Sequence, residues 1–157
     1  MRVVQAKTED DWVDVERLIR AYLVELPFEV DFQDVDRELA ELSTEYGPPS
    51  GAALLLRADD DAAVGVVGIR RFDEHGAELK RMYLDLTVRG RGLGRALGDV
   101  AVTSARSLGY RRLLLDTVDS MAPAVALYDG LGFMEIEPYR HNPLVGARYF
   151  ALDLQAE

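Results

Sequence analysis

The stretch Arg89-Gly90-Arg91-Gly92-Leu93-Gly94-Arg95 constrains this chain more than any other. Its three glycines let backbone N–H groups turn toward a ligand with no Cβ in the way. A strand-like segment, Glu78–Leu86, precedes it. After it, Leu93, Leu97, Val100, Ala101, Ala105 and Leu108 trace one face of a helix. A strand that runs through a glycine loop into a helix presents the partial positive charge of the helix N-terminus to whatever the loop cradles. Arg89, Arg91 and Arg95 add full charges, so the loop suits a pyrophosphate. Alone, Gly-x-Gly-x-Gly fits a plain tight turn equally well.

Spacing excludes two nucleotide-binding patterns. A Walker A loop needs Gly-Lys-Ser/Thr, which is absent. A dinucleotide fingerprint needs Gly-x-Gly-x-x-Gly near the first strand of its sheet. Counted from Gly90 or Gly92, the third glycine position holds Arg95 or Leu97.

The segments around the loop predict one α/β domain over 1–157. Val3–Ala6 reads as a first strand. Thr8 and Asp11 form a capping-box variant ahead of a helix running to about Leu26. A second helix is expected over 34–46, ended by Gly47-Pro48-Pro49-Ser50-Gly51. Ala52–Arg57, Ala62–Phe72 and Glu78–Leu86 read as an antiparallel meander. In the third of these, alternation predicts Leu79, Arg81, Tyr83 and Asp85 on one face, with Glu78, Lys80, Met82 and Leu84 on the other. Beyond the loop helix, Leu113-Leu114-Leu115 reads as a strand buried on both faces. That makes a crossover unit with a parallel strand pair. Pro123 opens a further helix, closed by Gly132, and Phe133–Pro138 and Ala147–Leu154 are the last strands.

Composition narrows the chemistry. There is no cysteine, so a disulfide framework, a thiolate metal site and a cysteine nucleophile are excluded. The two histidines, His75 and His141, do not suggest a metal centre, and none is expected. The net charge is −10, and residues 1–61 carry all of that excess, with 16 acids against 6 bases. An acidic chain repels nucleic acid, so neither DNA nor RNA is an expected partner. No apolar run approaches the roughly 20 residues of a membrane span, and the N-terminus does not read as a signal peptide. A cytoplasmic protein without a membrane partner is the expectation.

Arg89-x-x-Gly92-x-Gly94 resembles the coenzyme A loop of the GNAT superfamily, the Gcn5-related N-acetyltransferases. Ala126-Leu127-Tyr128-Asp129-Gly130-Leu131-Gly132-Phe133 resembles that family's late Leu-Tyr-x-x-x-Gly-Phe signature. The order of predicted elements resembles its fold along the whole chain. The resemblance implies a mixed, mostly antiparallel sheet of about seven strands, with one splayed parallel pair and about four flanking helices. It implies acetyl-CoA as cofactor and a small-molecule amine as partner, joined by direct attack in a ternary complex. A homodimer is implied on the same ground only.

Roles carry over by position. Met82 and Leu84 would contact the pantetheine arm through their main chains, and an N–H near Leu84 would serve the oxyanion. The backbone from Arg89 to Arg95, including Gly90, Arg91, Gly92, Leu93 and Gly94, would hold the pyrophosphate. Tyr128 matches a tyrosine facing the thioester sulfur, where its hydroxyl would serve the leaving thiolate. Glu78 matches a carboxylate that relatives use as base. Tyr128 also fits a packing role, and Glu78 a salt bridge to Lys80. The acceptor groove would draw on Phe28, Phe32, Arg81 and the run Tyr139-Arg140-His141-Asn142, with Arg148 beyond it. Arginines there could hold a substrate carboxylate or pair with local acids.

Two departures are visible. Asp85-Leu86-Thr87-Val88 lacks the proline that relatives often carry there, and Met121 stands where they often have asparagine. The alternatives are a non-catalytic acyl-CoA-binding module on the same fold, and an enzyme acetylating protein N-termini or lysines.

Overall fold

Thr8 accepts a hydrogen bond from the Asp11 N–H at 3.1 Å, and Asp11 accepts one from the Thr8 N–H at 3.1 Å. This reciprocal cap starts α1, Glu9–Glu25, whose Val15, Leu18 and Ile19 are buried. The computed structural model describes residues 1–28 and 32–155, without the side chains of Phe32 and Gln33. Along the chain follow α2 (Phe32–Ala40), α3 (Leu42–Glu45), α4 (Leu93–Ser107) and α5 (Ala122–Gly130). The strands are β1 (Arg2–Gln5), β2 (Ala52–Arg57), β3 (Ala63–Arg71), β4 (Gly76–Leu84), β5 (Arg112–Val118), β6 (Met134–Ile136) and β7 (Ala147–Asp153).

They form one sheet in the order β1-β2-β3-β4-β5-β7-β6. Every neighbouring pair is antiparallel except β4 and β5. That is the mixed sheet and crossover expected from the loop. Two cores cover its faces. On one side α4 and α5 pack Leu97, Ala101, Ala105 and Tyr128 against Leu54, Val67, Ile69, Leu113 and Leu115. On the other, α1, α2 and α3 pack Val15, Leu18, Ile19, Leu39 and Tyr46 against Ala53, Leu55 and Val66. Arg57 pins the start of α1 to β2 through Asp11 at 2.6 Å and Asp14 at 3.1 Å. No helix among the described residues is long and apolar enough to cross a membrane.

Three expectations are corrected. The helix expected over 34–46 is two helices, broken at Glu41 (φ −131°, ψ 34°). The break turns Leu42 and Tyr46 into the core, where Tyr46 is fully buried and its ring lies where a Cβ on Gly68 would sit. The third meander strand ends at Leu84, two residues early. Asp85 caps a short 3-10 turn, Leu86–Val88, by accepting from the Thr87 N–H.

The third correction bears on the site. Arg81 has φ +60°, and the β3–β4 register passes from Val66↔Tyr83 to Gly68↔Lys80. Arg81 and Met82 together oppose Val67, a bulge that reverses the alternation beyond it. Leu79, Met82 and Leu84 therefore share the α4 face. Tyr83 packs on the α1 face, where Arg81 reaches Glu38 of α2.

Candidate active site

β4 and β5 are in register only at Gly76↔Arg112, Ala77↔Leu113 and Glu78↔Leu114. Beyond Glu78 they diverge, and the bulge lies in the diverging part of β4. A cleft of about 370 Å³ fills the wedge. Met82, Tyr83 and Leu84 form one wall, and Ser120, Met121, Leu127 and Tyr128 the other. Gly94 also lines it, and Tyr22 and Glu25 of α1 close the far side.

The glycine loop sits at the mouth. Gly90 and Gly92 adopt φ +79° and +75°, and a Cβ on either would meet nothing within 4 Å. Gly92 is the N-cap of α4 and supplies no side-chain cap, so the first N–H groups of the helix face open space. At Gly94 a Cβ would lie 3.5 Å from Leu84 Cδ1 and 3.6 Å from Leu127 Cδ2, between two residues that line the cleft. Arg91 and Arg95 are exposed beside the loop; Arg95 pairs loosely with Asp99 at 3.3 Å. A pyrophosphate fits this cradle of donors without side chains in front.

Arg89 does something other than add charge to the loop. Its guanidinium pairs with Glu25 at 2.7 Å, donates to the Leu84 carbonyl at 2.9 Å and lies 5.3 Å from the Tyr83 ring centre. It ties the loop to α1, and its charge is largely answered by Glu25.

Tyr128 reaches the cleft from α5, its ring edge-on to Phe133 at 5.9 Å. Among the described residues its hydroxyl has no hydrogen-bond partner. Burial pushes its pKa up, and Tyr22 and the Asp116 carboxylate push the same way. The hydroxyl therefore stays protonated and free to donate. Asp116 lies on the opposite face of the sheet from the α5 core, so Tyr128 senses both faces through the gap.

On the α1–α2 face lies a cluster of charges. Glu78 is 2 % exposed. Its Oε1 accepts from Arg70 at 3.2 Å, and its Oε2 from Tyr139 and Arg140, both at 2.9 Å. Burial alone would raise its pKa, but the charges of Lys80, Arg70 and Arg140 outweigh that and hold the carboxyl below its usual range. Arg81 grips Glu38 through both oxygens, at 3.0 and 2.8 Å, and Tyr46 donates to Glu38 at 2.9 Å. Asn142 donates to Asp116 at 3.0 Å. Tyr139, Arg140, Arg81 and Asn142 are thus gathered on one side of the sheet. Each is engaged with a carboxylate of the chain itself.

Other candidates lie elsewhere. Phe28 is partly buried in the bend after α1 and does not line the cleft. The side chain of Phe32 lies outside the described residues. His141 is exposed. Arg148 is corrected: it stacks 5.2 Å from the Phe150 ring and pairs with Glu135 and Asp119, on the α5 face away from the groove. Sequence reading missed Tyr22, Glu25 and Tyr83 as cleft walls, and Glu38, Arg70 and Asp116 as partners in the cluster. The pairing of Glu38 with Arg81 spans 43 residues and leaves no local signature. Among the described residues no group of three His, Asp or Glu side chains could hold a metal.

The sequence profile of the acetyltransferase (GNAT) family matches residues 13–133. An uncharacterized N-acetyltransferase of Schizosaccharomyces pombe is 38 % identical over 149 residues, covering 94 % of this chain and 91 % of that one. Human N-acetylaspartate synthetase is 31 % identical over 131 residues, 83 % of this chain but 41 % of the longer enzyme. The fold superposes on a Salmonella typhimurium acetyltransferase structure that holds acetyl-CoA, with TM-score 0.73 and 17 % identity over 100 % of this chain and 95 % of that one. By the match over most of its length, the splayed wedge and the glycine cradle, the chain belongs to the acetyltransferase (GNAT) family and is an acetyl-CoA-dependent N-acetyltransferase.

Proposed function

We propose that the acceptor is the primary amine of a small molecule, acetylated by direct attack while both substrates are bound. Acetyl-CoA supplies the acetyl group as an activated thioester. The main chain from Arg89 to Arg95 would hold its pyrophosphate, and Met82 and Leu84 would flank its arm. The observation that carries the reading is the unpartnered Tyr128 hydroxyl in the wedge between β4 and β5. Held protonated by its surroundings, it would donate to a leaving thiolate. A non-catalytic binding module has no use for such a group.

The relatives named N-acetylaspartate synthetase make an acetylated small amino acid by that name, which favours a small acceptor. Glu78 is better suited to fix Tyr139 and Arg140 than to accept a proton. Both its oxygens are bonded and its pKa is held down. The amine would lose its proton to solvent at the open cleft. The test is free-thiol release from acetyl-CoA against polyamines, amino acids, aminoglycosides and short basic peptides. Release with a small amine supports the reading. Release with peptides alone would replace it.

A further inference from the structure

We propose that the acceptor carries a carboxylate beside its amine, and that Lys80 and Arg140 hold that carboxylate where β4 and β5 part. This rests on the transferase reading above and names its substrate class.

Most members of the charge cluster are satisfied from within. Glu38 takes three hydrogen bonds, from Arg81 twice and Tyr46 once. Glu78 takes three, from Arg70, Tyr139 and Arg140. Lys80 differs. Its side chain is only 15 % exposed, yet the closest carboxylate oxygen, Oδ1 of Asp116, is 3.9 Å away. Among the described residues its ammonium makes no hydrogen bond. No side-chain nitrogen among the described residues is both buried and unpartnered, so the ammonium keeps access to the surface, and a ligand oxygen can reach its three donors. Burial pushes the Lys80 pKa down to about 8, against the pull of Asp116 and Glu78, so it remains chiefly a cation at neutral pH.

Its position suits a substrate. The register ends at Glu78↔Leu114; continued two residues further it would set Lys80 opposite Asp116. Lys80 therefore stands just past the last paired position, where β4 and β5 begin to part, and Tyr128 lines the cleft between them from the α5 side. Arg140 supplies a second cation. One of its nitrogens, Nη1, bonds Glu78. The edge formed by Nε and Nη2 has no partner among the described residues, and the side chain is 36 % exposed. Such an edge matches the two oxygens of a carboxylate.

Distance points the same way. Arg70, Lys80, Arg81 and Arg140 meet Glu38, Glu45, Glu78 and Asp116, four charges of each sign. Arg70, Arg81 and Arg140 each have a carboxylate oxygen within 3.2 Å. Lys80 is held off at 3.9 Å, so it is the cation of the four least answered from within.

The experiment uses matched acceptors, each an amino acid and the amine left by removing its carboxylate, with the wild type and Lys80→Met. The expected result is a preference for the carboxylated member. Lys80→Met should raise its KM about 10- to 100-fold, the size of a lost charge-assisted hydrogen bond, while kcat, acetyl-CoA affinity and the KM of the decarboxylated member stay. Should Lys80→Met fail to bind acetyl-CoA, Arg140→Gln replaces it with the same expected split. If decarboxylated amines serve equally well, or the variants keep the preference, the carboxylate anchor is overturned and the transferase reading stands. If no pair is acetylated, amino acids are titrated calorimetrically into protein loaded with coenzyme A. Binding that Lys80→Met abolishes keeps the anchor, and absence of binding overturns it; the transferase reading is judged separately, by thiol release with the polyamines, aminoglycosides and peptides.

Discussion

Arg81 and Glu38 lie 43 residues apart and are joined by two hydrogen bonds of 3.0 and 2.8 Å, and Arg81 makes them from a left-handed backbone, φ +60°. The pairing and the bulge are two aspects of one residue. Arg81→Gly and Arg81→Ala both strip Glu38 of its cation, and each should cost about 3–5 kcal/mol. Glycine accepts the backbone angle and alanine does not, so the alanine variant should be weaker by a further ~1 kcal/mol. Urea denaturation of the three proteins reads the order directly. Alanine equal to or above glycine would show that the strain is not there.

At Gly92, shape and charge can be separated. A Cβ there meets nothing, so Gly92→Ala should lose ~1 kcal/mol of stability from φ +75° while keeping most of its affinity for acetyl-CoA. Gly92→Glu puts a carboxylate before the α4 N-terminus and should abolish that affinity. Calorimetry on both variants decides whether this loop is the anion site.

Tyr128→Phe keeps the ring against Phe133 and removes only the hydroxyl. The expected outcome is a fall in kcat on the order of 10²-fold, with acetyl-CoA affinity retained. An unchanged rate would return Tyr128 to a packing role.

Lys80 should leave a mark on stability against pH. Its folded pKa is about 8, below the ordinary 10.5. Between those values the unfolded chain holds a proton that the native one has shed, so stability rises with pH across that window. Below pH 8 the cost of burying the ammonium is present in full. Lys80→Met removes this dependence. The variant should be more stable than wild type at pH 7, by up to about 3 kcal/mol, and the margin should shrink toward pH 10. A constant margin would mean that Lys80 titrates normally.

The sequence was most legible where function depends on local backbone. Gly90, Gly92 and Gly94 announced the loop, Pro123 the start of α5, and Thr8 with Asp11 the cap of α1, each through a conformational or hydrogen-bonding preference of neighbouring residues. It was least legible at Arg81. A left-handed arginine has no compositional sign, and without the bulge strict alternation put Arg81 with Leu79 and Met82 with Glu78. Arg148 misled for a related reason: one residue of register separates it from Tyr149, and that residue decides which face of the sheet it serves. The other partners of the charge cluster were invisible because Glu38, Arg70 and Asp116 sit on α2, β3 and β5, and only the finished sheet brings them to Glu78 and Lys80 of β4.

With three register pairs between β4 and β5, the sheet behaves as two jaws meeting at a narrow joint. Glu78 stands at that joint. It is bonded to Arg70 on the β3 side and to Tyr139 and Arg140 on the β6–β7 side, while Tyr149 of β7 anchors the Arg140 carbonyl at 2.9 Å. One carboxylate thus rivets both jaws at their apex and helps set the angle at which they stand open, so the gauge of the cleft is fixed at the end farthest from its mouth.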